Sequence, residues 1–276
     1  MSDQASKAFA FRALHTRSGA FVIPNPWDAG TAKILTQLGF EALATTSAGL
    51  AFALGRSDGA VTREETLANA KTIVRATSLP VSADLENGFG HAPEKVAETI
   101  QLAAAVGLVG GSIEDATGDR NKPIYDLKLA VERISAAVEA ACAQSIHFTL
   151  TARAENFLHG RPDLDDTIAR LQAFEKAGAD VLYAPGLPSL EAIRQVCAAV
   201  SRPVNVVAGL SGPAFSLKQL EDAGVKRVSV GSALSRAALG AFMRAATEMK
   251  EMGTFDFARD AIPYAEINKL MKEETP

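Results

Sequence analysis

The sequence predicts an α/β protein built as a (β/α)8 TIM barrel with extra C-terminal helices. Two observations support this prediction: eight short apolar segments are spaced along the 276 residues, and longer stretches with helical signals separate them. Apolar segments without strict polar alternation are typical of parallel strands covered on both faces. Because the units continue evenly without a linker, we favour the barrel over an open doubly wound sheet.

The strand segments are short runs rich in β-branched and other apolar residues. In chain order they cover residues 21–23, 42–45, 80–83, 111–114, 148–151, 181–183, 204–207 and 227–231. An Ala-Gly pair stands between a predicted helix and the next strand at two places, 177–178 and 223–224. Such a recurrence is expected of a repeated β/α unit.

Capping residues mark the starts of the intervening helices. Asp28 can cap a helix that begins at Ala29, and Thr62 with Glu65 forms a capping box. Pro93 suits a first helical turn, because the N–H that proline lacks is unpaired there in any case. The predicted helices end at glycines, which adopt the left-handed C-terminal conformation at little steric cost; these are Gly39, Gly107, Gly178 and Gly224.

We predict a single barrel domain over 1–276, with a C-terminal helical arm of about 237–276 that is broken near Gly253.

Apolar residues make up 47% of the chain, enough for a full core, and the net charge of −4 argues against a nucleic-acid partner. No apolar run approaches the roughly 20 residues that span a membrane. The polar N-terminus and two widely separated cysteines favour a cytoplasmic location.

Charged residues follow three neighbouring strands at the end of the barrel where active sites lie. Asp84 and Glu86 come after the third strand, Glu114 after the fourth and Arg153 after the fifth. Carboxylates that face one cavity repel each other unless a cation or protons intervene, and oxygen ligands favour Mg²⁺ or Mn²⁺ over zinc. Arg153 can hold a substrate carboxylate with two hydrogen bonds. The set predicts a metal site for a small anionic substrate.

Plainer interpretations compete for each of these residues. A single acid at a strand end is more often a cap or loop residue, and we interpret Asp115 in this way. Asp58 lies between glycines and is equally compatible with a turn. Trp27 is expected in the core or in a pocket wall. The histidines show no ligand or triad spacing, and His15 is expected at the surface.

Six stretches occur together in an order and spacing that identify a family. They are 25–29 (Asn-Pro-Trp-Asp-Ala), 44–50 (Ala-Thr-Thr-Ser-Ala-Gly-Leu), 54–58 (Leu-Gly-Arg-Ser-Asp), 83–90 (Ala-Asp-Leu-Glu-Asn-Gly-Phe-Gly), 113–115 (Ile-Glu-Asp) and 151–153 (Thr-Ala-Arg). The chain resembles the isocitrate lyase / phosphoenolpyruvate mutase superfamily over nearly its whole length. The resemblance implies a (β/α)8 barrel that uses Mg²⁺, with Mn²⁺ as a substitute, and acts on 2-oxo acids or their enolates.

The resemblance also implies metal-binding roles. The first acid of the D-x-[DE] motif, here Asp84, is expected to lie closest to the metal. Glu86 and Glu114 are expected to act through metal-bound waters. Asp58 matches a further acid near that water shell and is our candidate for a catalytic acid.

Substrate-binding roles follow from the same resemblance. Arg153 matches the arginine that grips the substrate. The backbone N–H groups of Thr45, Thr46 and Ser47 match the loop that holds a carboxylate or oxyanion, and we predict Trp27 in the wall of the substrate pocket.

The chain departs from the well-known members after the fourth strand. The isocitrate and methylisocitrate lyases carry a Lys-Lys/Arg-Cys-Gly-His segment there, whereas residues 116–125 contain no cysteine or histidine. Asn121 matches the asparagine that the phosphonate members use, and we predict a catalytic role for it. Ala184 and Pro185 stand where those members carry a histidine after the sixth strand.

The sequence therefore predicts a Mg²⁺-dependent enzyme that cleaves a carbon–carbon bond of a small 2-oxo or hydroxy acid, as a lyase or decarboxylase, through an enolate. The alternatives are phosphorus–carbon chemistry, as in phosphonopyruvate hydrolase or phosphoenolpyruvate mutase, and a weakly active barrel that binds 2-oxo acids. The resemblance implies a homo-oligomer, a dimer or tetramer, in which the last barrel helix crosses to a neighbouring subunit.

Overall fold

Eight parallel strands form the barrel in the computed structural model, which describes residues 3–209 and 214–272. The strands are β1 (Phe21–Ile23), β2 (Leu43–Ala44), β3 (Val81–Asp84), β4 (Gly110–Glu114), β5 (Thr149–Arg153), β6 (Val181–Tyr183), β7 (Val204–Val207) and β8 (Arg227–Ser229). From β2 to β8 each strand pairs with the next one in the chain, and β1 pairs with β8. A hydrogen bond of 3.1 Å from Ala44 N–H to the Pro24 carbonyl links β2 to the segment after β1. The predicted barrel, nearly closed, is confirmed.

Eleven α-helices occur in the described part of the chain. They are α1 (Asp3–Thr16), α2 (Ala29–Gln37), α3 (Ser47–Ala53), α4 (Arg63–Arg75), α5 (Pro93–Ala105), α6 (Leu127–Cys142), α7 (Leu164–Ala177), α8 (Leu190–Ala199), α9 (Leu217–Asp222), α10 (Ala233–Glu251) and α11 (Tyr264–Met271). The predicted caps are confirmed: Asp28 accepts from Thr31 N–H at 2.7 Å, and Thr62 with Glu65 forms the capping box of α4. Gly178 ends α7 at a φ of 107°.

Helix α1, which the sequence analysis did not predict, packs against residues at the start of the barrel strands. Its Phe11 is fully buried, and a Cβ atom added to Gly110 would lie 3.0 Å from the Phe11 ring. The prediction that His15 lies at the surface is wrong, because His15 packs edge-on between Phe11 and Phe21. Burial lowers the pKa of His15 to about 3, so its ring is neutral at pH 7.

The C-terminal arm lies largely outside the barrel. Its first helix, α10, begins at Ala233, and Ser235 is its buried residue. Large apolar side chains of α10 are exposed, among them Phe242 and Met243. The arm ends in α11, where the Met271 carbonyl accepts a hydrogen bond of 2.9 Å from Lys33 on α2. None of the described helices is long and apolar enough to cross a membrane.

Candidate active site

A cavity of about 180 Å³ opens at the C-terminal ends of the barrel strands. This is the end of a (β/α)8 barrel where catalytic residues normally lie. Its lining includes the predicted site residues Thr45, Thr46, Ser47, Asp58, Asp84 and Arg153. The structure therefore brings residues from four separate stretches of the sequence to one cavity.

The segment after β2 is a helix start rather than the loop that the sequence suggested. Thr46 is the N-cap of α3 and accepts a hydrogen bond of 3.2 Å from Gly49 N–H. The N–H of Thr45 donates to the Ser82 carbonyl within the sheet, so it is not available to a ligand. The predicted binding role of backbone N–H groups is therefore restricted to Thr46 and Ser47.

Trp27 does not belong to the cavity lining, contrary to its predicted role in the substrate pocket. It packs against α3, where a Cβ atom added to Gly49 would lie 3.1 Å from the Trp27 Cβ. Its backbone carbonyl accepts a hydrogen bond of 2.9 Å from Asn69 on α4. Trp27 thus helps to set the position of α3 and has a structural role in this region.

Arg153 stands at the centre of the acidic cluster. Its guanidinium contacts three carboxylates: Asp84 at 3.0 Å, Glu114 at 3.2 Å and Glu155 at 2.9 Å. It also lies 5.0 Å from the centre of the Tyr183 ring. Burial alone would lower the pKa of Arg153, but the three carboxylates raise it above its ordinary value, so the side chain is a permanent cation.

Glu86 occupies the second acidic position of the D-x-[DE] motif in a strained backbone conformation, with a φ of 48°. Its N–H donates to the Asp84 carboxylate at 3.2 Å, and its Oε1 is buried without a hydrogen-bond partner. Burial and the nearby carboxylates of Asp84 and Asp58 raise the pKa of Glu86 to about 7. An unpaired buried carboxylate oxygen is costly, so this atom is an unused acceptor that a ligand could fill.

Two further carboxyl groups complete the cluster. Burial raises the pKa of Glu114 despite its contact with Arg153. Asp58 lies at the mouth of the cavity within hydrogen-bonding reach of Ser47, and partial burial of its carboxyl group together with Asp84 raises its pKa. The raised pKa values mean that the surroundings of each carboxyl group disfavour its charged form.

The cluster fits a hard divalent cation. Five carboxyl groups, those of Asp58, Asp84, Glu86, Glu114 and Glu155, lie near the guanidinium of Arg153, so acidic groups outnumber the cation that faces them. The donors are all oxygens, which suit Mg²⁺ or Mn²⁺. Within residues 3–209 and 214–272, no three acidic, histidine or cysteine side chains converge on one point. Since Mg²⁺ usually keeps several waters, the donor set agrees with partly water-mediated binding.

The loop that carries Glu86 is held from behind by Arg133 on α6. The buried guanidinium of Arg133 donates to the backbone carbonyls of Asn87, Gly90 and His91. It also lies 4.3 Å from the centre of the Tyr125 ring. The sequence analysis did not identify Arg133, because an arginine within a helical stretch normally signals a solvated face.

Asn121 lies away from the cavity, so the structure does not bring this predicted catalytic residue to the site. It is exposed at the tip of the loop after β4, where its N–H donates to Asp119 at 2.9 Å. The loop is a short hairpin closed by a bridge between Ala116 and Ile124. A catalytic contact by Asn121 would require this hairpin to move.

Several lining residues were missed by sequence reasoning. Asn205 and Arg227 lie at positions of β7 and β8 that pair directly with each other, and both line the cavity. Tyr183 and Ser229 line it as well. The sequence did contain a signal for Asn205 and Arg227, because each is a polar side chain in an otherwise apolar strand. A polar side chain that faces the interior of a barrel needs a partner.

Comparison with known proteins agrees with this geometry. The family model described as phosphoenolpyruvate phosphomutase matches residues 11–250. The chain is 31% identical to the 2-methylisocitrate lyase of Escherichia coli K12 over 83% of this chain and 81% of that protein. It is 28% identical to oxaloacetate decarboxylase 1 of Pseudomonas putida W619 over 84% of this chain and 81% of that protein.

A solved structure from Burkholderia cenocepacia J2315, whose description proposes a lyase or mutase, is 62% identical. It superimposes with a TM-score of 0.96 over 98% of this chain and 96% of that chain. Together, the match over most of the sequence and the shared barrel show that the chain belongs to the phosphoenolpyruvate phosphomutase (PEP mutase) family of lyases, decarboxylases and mutases.

Proposed function

We propose that this protein is a divalent-metal-dependent enzyme that cleaves a carbon–carbon bond of a small 2-oxo acid or related hydroxy acid, as a lyase or a decarboxylase. The observation that supports the proposal is the excess of carboxyl groups around Arg153, which lines a cavity at the C-terminal end of the barrel together with Asp84. Such a site attracts a cation and, through it, an anionic substrate. The names of the lyase and decarboxylase relatives agree with this chemistry.

Asp84, Glu86 and Glu114 are the residues that we expect to hold the cation. Asp84 lines the cavity, and the unpaired Oε1 of Glu86 is the acceptor with the greatest need for a partner. A bound Mg²⁺ or Mn²⁺ supplies positive charge where the negative charge of an enolate develops.

The other site residues bind and orient the substrate. The N–H groups of Thr46 and Ser47 and the guanidinium of Arg153 offer donors to its carboxylate, and fixed orientation lowers the barrier to bond cleavage. Arg153 is itself fixed by its three carboxylate contacts, so little side-chain freedom is lost when substrate binds. Asp58 at the cavity mouth is placed to hold or move a proton.

The proposal is tested by product assays on the purified protein with Mg²⁺ and with EDTA. The panel contains oxaloacetate, isocitrate, 2-methylisocitrate, 2,3-dimethylmalate and phosphonopyruvate, read by release of pyruvate, glyoxylate or phosphate. We expect turnover of at least one carbon substrate, lost by about 100-fold or more in EDTA and restored by Mg²⁺ or Mn²⁺.

Two outcomes would contradict this function. Release of phosphate from phosphonopyruvate alone would assign the protein to phosphorus–carbon chemistry. Binding of 2-oxo acids in calorimetry without turnover of any panel member would indicate a weakly active binding barrel.

We also propose that the protein forms a homo-oligomer through α10. This helix exposes Phe242 and Met243, each about two-thirds exposed, and buries little against its own barrel. Exposed apolar surface of this kind favours burial against a second copy. Light scattering is expected to give at least twice the 29.0 kDa chain mass, and F242E/M243E is expected to lower it to one chain. A monomeric wild-type protein would contradict the proposal.

A further inference from the structure

A buried arginine forms part of the cavity wall below Arg153. Arg227, the first residue of β8, is 5% exposed and lines the cavity. Its guanidinium reaches Thr151 on β5 at 2.9 Å, two residues before Arg153 on the same strand. Since the strands run toward the cavity mouth, this contact lies deeper in the barrel than Arg153. The proposed metal site does not explain why a positively charged side chain lies this deep in the barrel.

The partners of Arg227 are all neutral. Its Nε donates to Asn205 Oδ1 at 2.8 Å, and its other nitrogens contact Thr151 Oγ1 at 2.9 Å and His15 Nε2 at 3.4 Å. His15 Nδ1 is 2.8 Å from the Phe11 carbonyl, which can only accept, so Nδ1 carries the proton and Nε2 is the acceptor. No carboxylate in the described part of the chain forms an ion pair with Arg227.

A buried guanidinium without a counter-charge is unfavourable, since desolvation is not offset by an ion pair. The carboxylates of the acidic cluster do not relieve it, because Asp84, Glu114 and Glu155 are already paired with Arg153. A guanidinium has five N–H groups, and the three contacts of Arg227 leave two without an acceptor among the residues that the structure describes. Arg227 therefore has both the charge and the free donors to bind an anion.

Small side chains give a ligand access to this arginine. The interior of a (β/α)8 barrel is normally filled by bulky branched residues. Here the cavity walls include the small residues Ala44, Ser82, Ser112 and Ser229. The cavity consequently extends down to Arg227 instead of ending at the level of Arg153.

We propose that Arg227 forms an anion subsite at the floor of the cavity that binds one carboxylate of a small organic acid. The planar guanidinium offers its two remaining N–H groups to the carboxylate, and Ser229 and Asn205 form the neighbouring wall. This inference rests on the proposed function for the choice of an organic acid as ligand. It makes Arg227 a specificity-determining residue that favours acids with a second negative group over those with one.

The test compares malonate with malonamate, in which a neutral amide replaces one carboxylate. Dissociation constants are measured by calorimetry in EDTA, so that the result does not depend on metal binding or on turnover. In the wild-type protein we expect malonate to bind more tightly than malonamate. Arg227→Met is expected to weaken malonate binding by about 10-fold or more and malonamate binding by less than about 3-fold. Equal losses for both probes, or no loss for malonate, would overturn the subsite.

A second variant and a structure of the wild-type protein test the subsite even if Arg227→Met does not fold. Arg227→Lys keeps the positive charge and is expected to retain the preference for malonate, because an ammonium still binds a carboxylate as a point charge. A crystal structure of the wild-type protein with malonate should place a carboxylate oxygen within hydrogen-bonding distance of Arg227. Malonate bound elsewhere in that structure would refute the proposal, whatever the panel of substrate assays gives.

Discussion

Replacing Asp84 with alanine is expected to lower kcat/KM for the productive substrate by about 10³-fold or more, because the proposed cation would lose the carboxylate that we propose as its principal ligand. Asp84 lines the cavity and contacts Ser47 at 3.1 Å and Arg153 at 3.0 Å. Its removal would take away a proposed metal ligand and one of the three carboxylate contacts of Arg153. The measurement is steady-state turnover across a Mg²⁺ titration.

Two further variants make this result specific. Asp84→Asn keeps a side-chain oxygen of similar position and is expected to raise the Mg²⁺ concentration needed for half-maximal activity, since an amide is a weaker ligand than a carboxylate. Asp222→Ala removes an exposed aspartate that pairs with Lys218 and is expected to leave turnover unchanged. Metal-dependent turnover of D84A within about 3-fold of the wild-type value would rule out the assigned role.

The fold was predictable because each barrel strand carries its own local signal. The strands β6 and β7 have the predicted bounds, and the cap at Asp28 and the glycine at Gly178 mark helix ends as expected. Helix α1 was not predicted because only a few of its side chains are buried. Those side chains pack against barrel residues that lie far away in the sequence. Helix α3 was missed because its small residues resemble a loop until tertiary packing fixes it.

The candidate site was predictable where position along a strand determines where a side chain lies. Asp84 and Glu114 end adjacent strands, so they meet Arg153 at the same end of the barrel. Arg227 was not predicted because it is the first residue of its strand, at the end opposite to the expected active site. Only the three-dimensional structure shows that the cavity extends down to it. Asn121 illustrates the opposite case, since a motif position cannot reveal which way a loop tip faces.

Arg170→Met is expected to lower the free energy of unfolding by about 3–5 kcal/mol, because it breaks one side of a buried ion pair. Arg170 on α7 contacts Asp115 at 3.0 Å, and the same nitrogen donates to the Tyr125 carbonyl at 2.9 Å. Asp115, which we had interpreted as a cap or loop residue, is 2% exposed and also accepts from Glu155 N–H at 2.8 Å. The pair thus ties α7 to the loops that follow β4 and β5.

Chemical denaturation of a matched set of variants distinguishes this pair from a general packing effect. Arg194→Met makes the same exchange on α8, where the arginine forms an exposed pair with Glu191, and is expected to change stability by less than about 0.5 kcal/mol. Asp115→Asn combined with Arg170→Met is expected to be less destabilised than the two single losses added together, because the double variant leaves no unpaired buried charge. Strict additivity would mean that Arg170 stabilises the barrel by packing alone. The ends of β4 and β5, which carry Glu114 and Arg153, would then owe their relative position to the sheet hydrogen bonds between those strands and not to Asp115.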